Sequence, residues 1–428
     1  MDTYAGRPII ILLVLLTLTL PALAPSAAGA AAPPWRTLVV GQDVAHILRD
    51  AYGVPHIFAA TDRALFYAYG YAAATDRLWQ MDVYRRTARG SLAEVLGPTA
   101  LASDRHERLY GYPEAEYQGQ FAQLPAEVQA ILSAYRDGVN AYLAEAVTDP
   151  VARLPWEFHQ LGYAPTLWET TDTLAIGRFM ANRFGASGGN ELHLQAVQQF
   201  LIGTYGAQLG AAMFEDLHWL NDPDAPTSAP GASAPGPAAA RIATQRPPLQ
   251  LPDVDRAAEA VAAAEEAARA VWSAYGVPVK LGSYAWAVSP ARSATGHALL
   301  YGGPQMGFET PDVIHEVQLT GGQGYDAMGV GFAGVPLIFI GHNRHVAWSI
   351  TSGMGDNGDI FVERLAPGET DRYWHDGAWR TMITRTETIR VAGRTTPVTK
   401  IIRESVHGPI IFLDAEHDLA YALRQAQR

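Results

Sequence analysis

A chain of 428 residues, 48% hydrophobic and 17% charged, is long and apolar enough for two or three ordinary domains or one large one, and it is not a disordered sequence. Its net charge of −12 leaves no basic footprint for nucleic acid and is compatible with a cationic ligand such as calcium. With no cysteine, disulfide and thiolate chemistry are excluded.

Arg7 precedes an apolar run at 9–20, which ends at Pro21 and passes into small residues through Ala30. This is the layout of a secretory signal, and the run is shorter than the roughly 20 apolar residues that span a bilayer. Residues 1–30 therefore predict export, periplasmic or secreted, without a membrane anchor in the mature form. Residues 37–59 alternate short apolar runs with turn residues and predict one or two strands. Thr61 is the expected N-cap of a long helix that ends near Gly90 and turns Leu65, Tyr69, Ala72, Leu78 and Met81 inward. Further helices are predicted over 125–146 and 171–205.

The composition then shifts. Residues 222–252 are dense in Pro, Ala, Gly and Ser and cannot pack as a regular element, and the Ala- and Glu-rich 254–275 segment predicts an isolated helix. On composition alone this is equally an interdomain linker or a removable spacer. From Ser283 onward the pattern is β-rich, with strands expected at 284–288, 298–302, 313–319, 337–340, 346–351 and 408–413. Such a meander suggests stacked antiparallel sheets. The sequence stops at Arg428 with no closing element and reads as a piece of a longer chain.

Several motifs are decoys. Gly185-Ala186-Ser187-Gly188-Gly189 matches the nucleophile elbow of serine hydrolases, which needs a strand before the serine, and here the preceding stretch is helical. The glycine pattern at 329–334 matches a dinucleotide fingerprint, but a strand-like run from Val335 follows it where a helix is required, so it is expected to be a turn region. His342 and His345 lack a third ligand nearby and read as hydrogen-bonded structural histidines. His315-Glu316 lacks the second histidine of a zinc-protease helix. Gly355-Asp356-Asn357-Gly358-Asp359 offers two carboxylates and a carbonyl to a hard cation, or else a solvated turn.

Gly282-Ser283 carries more chemistry. A serine exposed by cutting its own backbone supplies a hydroxyl nucleophile and, in the freed α-amine of pKa about 7.7–8.0, its own base.

Around it, the blocks at 49–57 (Arg-Asp-Ala-Tyr-Gly-Val-Pro-His-Ile), 74–81 (Ala-Thr-Asp-Arg-Leu-Trp-Gln-Met), 85–86 (Arg-Arg), 90–97, 180–184 (Met-Ala-Asn-Arg-Phe), 303–305 (Gly-Pro-Gln), 341–343 (Gly-His-Asn) and 353–356 (Gly-Met-Gly-Asp) stand in the order of the penicillin acylase (penicillin amidase) family. The chain resembles that family of N-terminal-nucleophile hydrolases, particularly its penicillin G acylase branch, over nearly everything after the signal. The resemblance implies an α+β fold, an αββα sandwich with a largely helical α-chain region. It implies a precursor divided into an α-chain (31–240), a spacer removed on maturation (241–282) and the first part of a β-chain (283–428), giving an α/β heterodimer.

In that scheme Gly282 and Ser283 form the cleavage site, Ser283 is the nucleophile and Trp286 is the fourth residue of the β-chain. Gln305 helps orient the nucleophile, and the backbone N–H of Ser352, where the family often has alanine, is one oxyanion donor. The family's other donor, a later asparagine, falls beyond Arg428. Met180, Phe184, Met306, Ile340, Ile350 and Met354 would line the acyl pocket, with Arg183 at its entrance. The best-known members carry phenylalanine at the positions of Met306, Ile340 and Met354, so an aliphatic acyl group suits this pocket as well as an aromatic one. Glu191, Asp356, the Gly358 carbonyl and Asp359 correspond to ligands of a structural calcium ion.

The expected function is an exported amidohydrolase that cleaves small linear amides with an apolar acyl group, penicillin side chains among them. An acylase for N-acyl-homoserine lactones or fatty-acyl amides is the alternative within enzymes. A non-catalytic secreted calcium-binding protein is the alternative from another class.

Overall fold

The computed structural model describes residues 35–185, 188–217, 249–277, 282–307, 310–352 and 357–425. The signal-like segment, most of the Pro- and Ala-rich stretch, Ser187, Met354 and Asp356 lie outside the described residues. The expected α+β class holds, with helices concentrated before Ser283 and strands after it.

Residues 35–59 form three strands where one or two were expected: β1 (Trp35–Val40), β2 (Asp43–Arg49) and β3 (Pro55–Ala59). After Ser283 come β4 (Gly282–Val288), β5 (Leu299–Gln305), β6 (Ile314–Gly321), β7 (Asp326–Phe332), β8 (Ile340–His342) and β9 (Ala347–Trp348). Strand β7 contains residues 329–332 of the glycine-rich decoy, which is therefore not all turn. The strand predicted at 337–340 is displaced to β8, which shares only Ile340 with it, and that at 346–351 shortens to β9. Then follow β10 (Gly358–Arg364), β11 (Arg372–His375), β12 (Ala378–Thr381), β13 (Ile383–Ile389), β14 (Val398–Ser405), β15 (Gly408–Asp414) and β16 (Leu419–Gln425).

One sheet has the order β1-β2-β3-β6-β7-β8-β9 and a second has β10-β16-β15-β14-β13. Strand β3 pairs in parallel with β6, His56 opposite Gln318 and Ala59 opposite Gly321. The first sheet thus takes strands from both sides of the Gly282–Ser283 bond. All other strand pairs in the two sheets are antiparallel.

The long helix spans Asp62–Arg89, and Thr61 caps it as the sequence predicts, its Oγ1 accepting from the Ala64 N–H at 3.3 Å. Gly90 closes it in the left-handed region (φ 61°). Leu65, Tyr69, Ala72, Leu78 and Met81 are all buried, and this helix lies across β2, β3 and β6. Its second partner is the Ala126–Thr148 helix. Two glycines permit their close approach: a Cβ at Gly70 would overlap the Tyr135 carbonyl and one at Gly138 the Tyr67 carbonyl.

The Arg85-Arg86 pair serves the core. Buried Asp82 accepts from Arg85 Nε and Arg86 Nε, each at 2.8 Å, and from the Tyr163 hydroxyl at 2.6 Å. Burial alone would raise the Asp82 carboxyl, but the two guanidinium groups hold it below the usual carboxylate range.

Residues 171–205 form two helices, Thr170–Gly185 and Glu191–Tyr205. The break falls where Gly188 and Gly189 take positive φ (86° and 78°), a backbone that a continuous helix cannot contain.

The Val254–Ala274 helix is present, but it is not isolated. It packs on the Leu101–Tyr110 and Glu191–Tyr205 helices and on β15. Trp272 is 1% exposed, donates its indole N–H to Ser103 Oγ at 2.8 Å, and meets Phe179 and His106 edge-on at 5.6 and 5.1 Å. Composition cannot reveal this, because a single tryptophan among alanines supplies the anchor.

Candidate active site

Strands β4 and β5 form an antiparallel hairpin whose register sets Gly282 opposite Gln305 and Ser283 opposite Pro304. A side chain at 282 would run into the Gln305 carboxamide, so glycine lets that group lie against the backbone there. On the hairpin's exposed face Trp286 and Tyr284 stack on Tyr301 at 5.3 and 5.6 Å. Among the described residues, this face carries large aromatic side chains in the open.

Ser283 and Gln305 open into a cavity of about 300 Å3 that Ser352 also lines. Of the residues expected in the acyl pocket, Met180, Phe184, Met306, Ile340 and Ile350 line it. Met180 and Phe184 are four apart on the Thr170–Gly185 helix and so share one face. Phe184 lies parallel to Phe332 at 5.3 Å, and Phe332 meets Phe339 at 4.9 Å. The sequence reading missed Phe332, Phe339, Ile314 and Val330 as lining residues. The signal for three of them was the alternation of β6 and β7, obscured at Phe332 by the glycine-rich pattern around it. Ser283, Gln305, Thr351 and Ser352 are polar residues in a lining that is otherwise mostly apolar. That is the make-up of a site for an apolar group bearing one reactive polar bond.

Arg183 departs from its expected place. It lines a separate cavity of about 330 Å3, and its guanidinium lies 4.6 Å from the Trp272 ring centroid. Burial pushes Arg183 below its ordinary value, and neighbouring Arg269 adds to the effect. Four residues after Phe179, Arg183 shares the helix face that packs on Trp272 of the Val254–Ala274 helix.

The two halves of the molecule meet at the end of the Thr170–Gly185 helix. The Ser352 hydroxyl donates to the Phe184 carbonyl, and Asn357 Nδ2 donates to the Gly185 carbonyl at 3.1 Å. Next to this, the Gly189 N–H donates to the Gly358 carbonyl at 3.0 Å and to Glu191 Oε1 at 3.1 Å. Two of the residues expected to ligate calcium are thereby gathered at one amide. Asp359 is exposed on β10, and among the described residues no group of three or more His, Asp and Glu side chains assembles that could hold a metal ion.

His342 and His345 are exposed, not built into the interior. The histidine that is built in is His315, 4% exposed, with Nε2 3.0 Å from Asp76 Oδ2. The helix ahead of Ser187 bears out the rejection of the elbow motif. No helix among the described residues is long and apolar enough to cross a membrane.

Comparison with known proteins matches residues 44–428 to the penicillin amidase family model. Penicillin G acylase of Escherichia coli is 34% identical over 402 residues, covering 89% of this chain and 47% of its own length. The acyl-homoserine lactone acylase QuiP of Pseudomonas aeruginosa is 32% identical over 368 residues, covering 85% of this chain and 40% of its own. A solved structure of the thermostable penicillin G acylase from Alcaligenes faecalis is 37% identical, with a TM-score of 0.41 over 45% of this chain and 99% of that one. The chain thus spans about half the length of the curated relatives it matches. With a family model running from residue 44 to residue 428, and the αββα N-terminal-nucleophile hydrolase fold that comes with it, the chain belongs to the penicillin amidase family.

Proposed function

We propose that this chain carries the uncut form of an exported amide hydrolase, in which Ser283 first cuts its own polypeptide and then serves as the catalytic nucleophile. The observation that carries this reading is that Ser283, Gln305 and Ser352 line one largely apolar cavity.

In the first step the Ser283 hydroxyl attacks the Gly282 carbonyl. The C–N bond breaks, the proton passes to the leaving nitrogen, and an ester links Gly282 to the serine oxygen. Water then opens the ester, leaving a carboxylate at Gly282 and a free α-amine at Ser283. With a pKa of about 7.7–8.0 that amine is substantially neutral near pH 8 and takes the hydroxyl proton in each later turnover. The hydroxyl attacks a substrate amide, the amine component leaves, and water releases the acid from the acyl-enzyme. Gln305 orients the nucleophile, and the Ser352 N–H donates to the developing oxyanion. A preorganised donor of this kind is worth about 10²–10³ in rate. The product is an α/β pair whose shared sheet, joined through β3 and β6, needs no bond at 282.

The substrate is a small linear amide whose acyl group fills the cavity. Methionine at 180 and 306 and isoleucine at 340 and 350 accommodate an aliphatic chain as readily as a benzyl group. The homoserine-lactone reading is therefore kept beside the penicillin one. We extend the proposal to a structural calcium ion held by Glu191, Asp356, the Gly358 carbonyl and Asp359. The Gly189 amide that joins Glu191 to Gly358 supports it, although these four are fewer than the six to eight oxygens the ion takes.

Mass spectrometry of the full-length gene product tests the central claim. A fragment beginning at Ser283 is expected, together with an uncut, inactive Ser283→Ala variant. An active protein with the 282–283 bond intact would overturn the mechanism, and an unchanged Ser283→Ala variant would favour the non-catalytic binding protein. Hydrolysis of phenylacetyl, octanoyl and N-acyl-homoserine-lactone amides separates the substrate readings.

A further inference from the structure

We propose that the Ser352 hydroxyl is a positioning group that ties the acyl-binding wall of the cavity to the oxyanion-donating backbone. This rests on the proposed roles of Ser283 as nucleophile and the Ser352 N–H as donor.

The last four carbonyls of an α-helix have no partner within the helix. In the Thr170–Gly185 helix, the final two are taken by side chains from one short segment 168 to 172 residues further along the chain: the Ser352 hydroxyl on Phe184 and Asn357 Nδ2 on Gly185. Phe184 carries a cavity wall in its side chain and receives Ser352 on its carbonyl, so the bond joins the ring to that segment through one peptide unit. Ile350, Thr351 and Ser352 line the same cavity. The hydroxyl thus fixes the separation of the two lining segments and, at the same residue, the direction of the Ser352 N–H. An alanine here can donate the same backbone hydrogen bond but cannot make the tie.

The consequence is a coupling between what fills the cavity and how fast the amide is cut. Without the hydroxyl, Phe184 and the 350–352 segment are free to shift against each other, so discrimination between acyl groups and stabilisation of the oxyanion fall together. Asn357 still caps the neighbouring carbonyl, so the helix end stays formed.

The test compares the full-length protein with Ser352→Ala and Ser352→Thr variants on butanoyl, octanoyl and phenylacetyl p-nitroanilides. Ser352→Ala is expected to fold, to be cut at Ser283 and to melt close to the parent. Its kcat is expected to fall about five- to tenfold, the worth of one short hydrogen bond, and the octanoyl-to-butanoyl ratio of kcat/KM to change about threefold. Ser352→Thr, which keeps the hydroxyl, restores both. A Ser352→Ala enzyme whose kcat and acyl ratio stay within twofold of the parent overturns the inference, as does an impaired Ala variant that Thr fails to rescue. An uncut parent inactive on every amide overturns the proposed function and this inference with it. A cut and active parent beside an indifferent Ala variant overturns this inference alone.

Discussion

Truncating Trp272 to alanine in the uncut Ser283→Ala chain tests whether the Val254–Ala274 helix is a docked element or a passive spacer. Trp272 is 1% exposed and packs on Phe179, His106 and the Arg183 guanidinium. Removing a buried tryptophan of this kind costs about 3–5 kcal/mol. Ser103, itself 0% exposed, would also lose the indole donor, and an orphaned buried hydroxyl adds about 1 kcal/mol or more. The sum, about 4–6 kcal/mol, is large against the roughly 5–15 kcal/mol by which domains are stable. Urea unfolding of the two uncut chains, followed by tryptophan-independent circular dichroism, should show the midpoint falling by about 1 M or more. A midpoint that moves by less than about 0.3 M would refute the docking. In that case the segment would be the isolated helix that its composition suggests.

Two further outcomes follow from charge. Asp82 lies below the usual carboxylate range because Arg85 and Arg86 outweigh its burial. A group with a depressed folded pKa contributes stability above its unfolded value of about 3.9 and loses it as the pH falls through the folded value. Urea midpoints of the uncut chain should therefore drop below about pH 4, whereas Asp82→Asn, which strands two buried cations, should lose about 3–5 kcal/mol at neutral pH and show a flatter acid limb; an unchanged limb would mean that other carboxylates set it. For calcium, adding the ion to chelator-treated protein should raise the melting temperature. An excess of 100 Kd is worth about 2.7 kcal/mol, and Glu191→Gln should abolish the response; equal melting with and without the ion would remove the calcium reading.

What could be read from the sequence was local. Thr61 and Gly90 announce the ends of the long helix, and its inward positions follow from a 3.6-residue period. The hairpin that carries Ser283 was legible as alternation, and Ser283, Gln305 and Ser352 do come to one cavity. Long-range facts were not legible. Nothing at 56–59 says that β3 will pair in parallel with residues 318–321. Nothing in an alanine-rich helix says that one indole is buried to 1%. Arg183 shows the limit most clearly: helical spacing fixes the direction it leaves the helix, but the ring that receives it comes from a segment 89 residues away.

The arrangement also accounts for why a cut at 282 need not loosen the site. Ile57 in β3 and Leu319 in β6 are both 0% exposed, and their strands are bonded side by side although they lie on opposite sides of the cut. The same division runs through the cavity, where Met180 and Phe184 belong to one piece and Gln305, Ile340 and Ser352 to the other. The contacts at Phe184, Gly185 and Gly189 all cross it as well. Separating the pieces would expose a buried strand pair and open both walls, so the folded interface holds them without the peptide bond. Under the proposed cleavage the Ser283 nitrogen would change from an amide to an amine, and Gly282 would end in a carboxylate. An amide nitrogen has no basic lone pair to offer, whereas an amine there could accept the proton of the hydroxyl three bonds away.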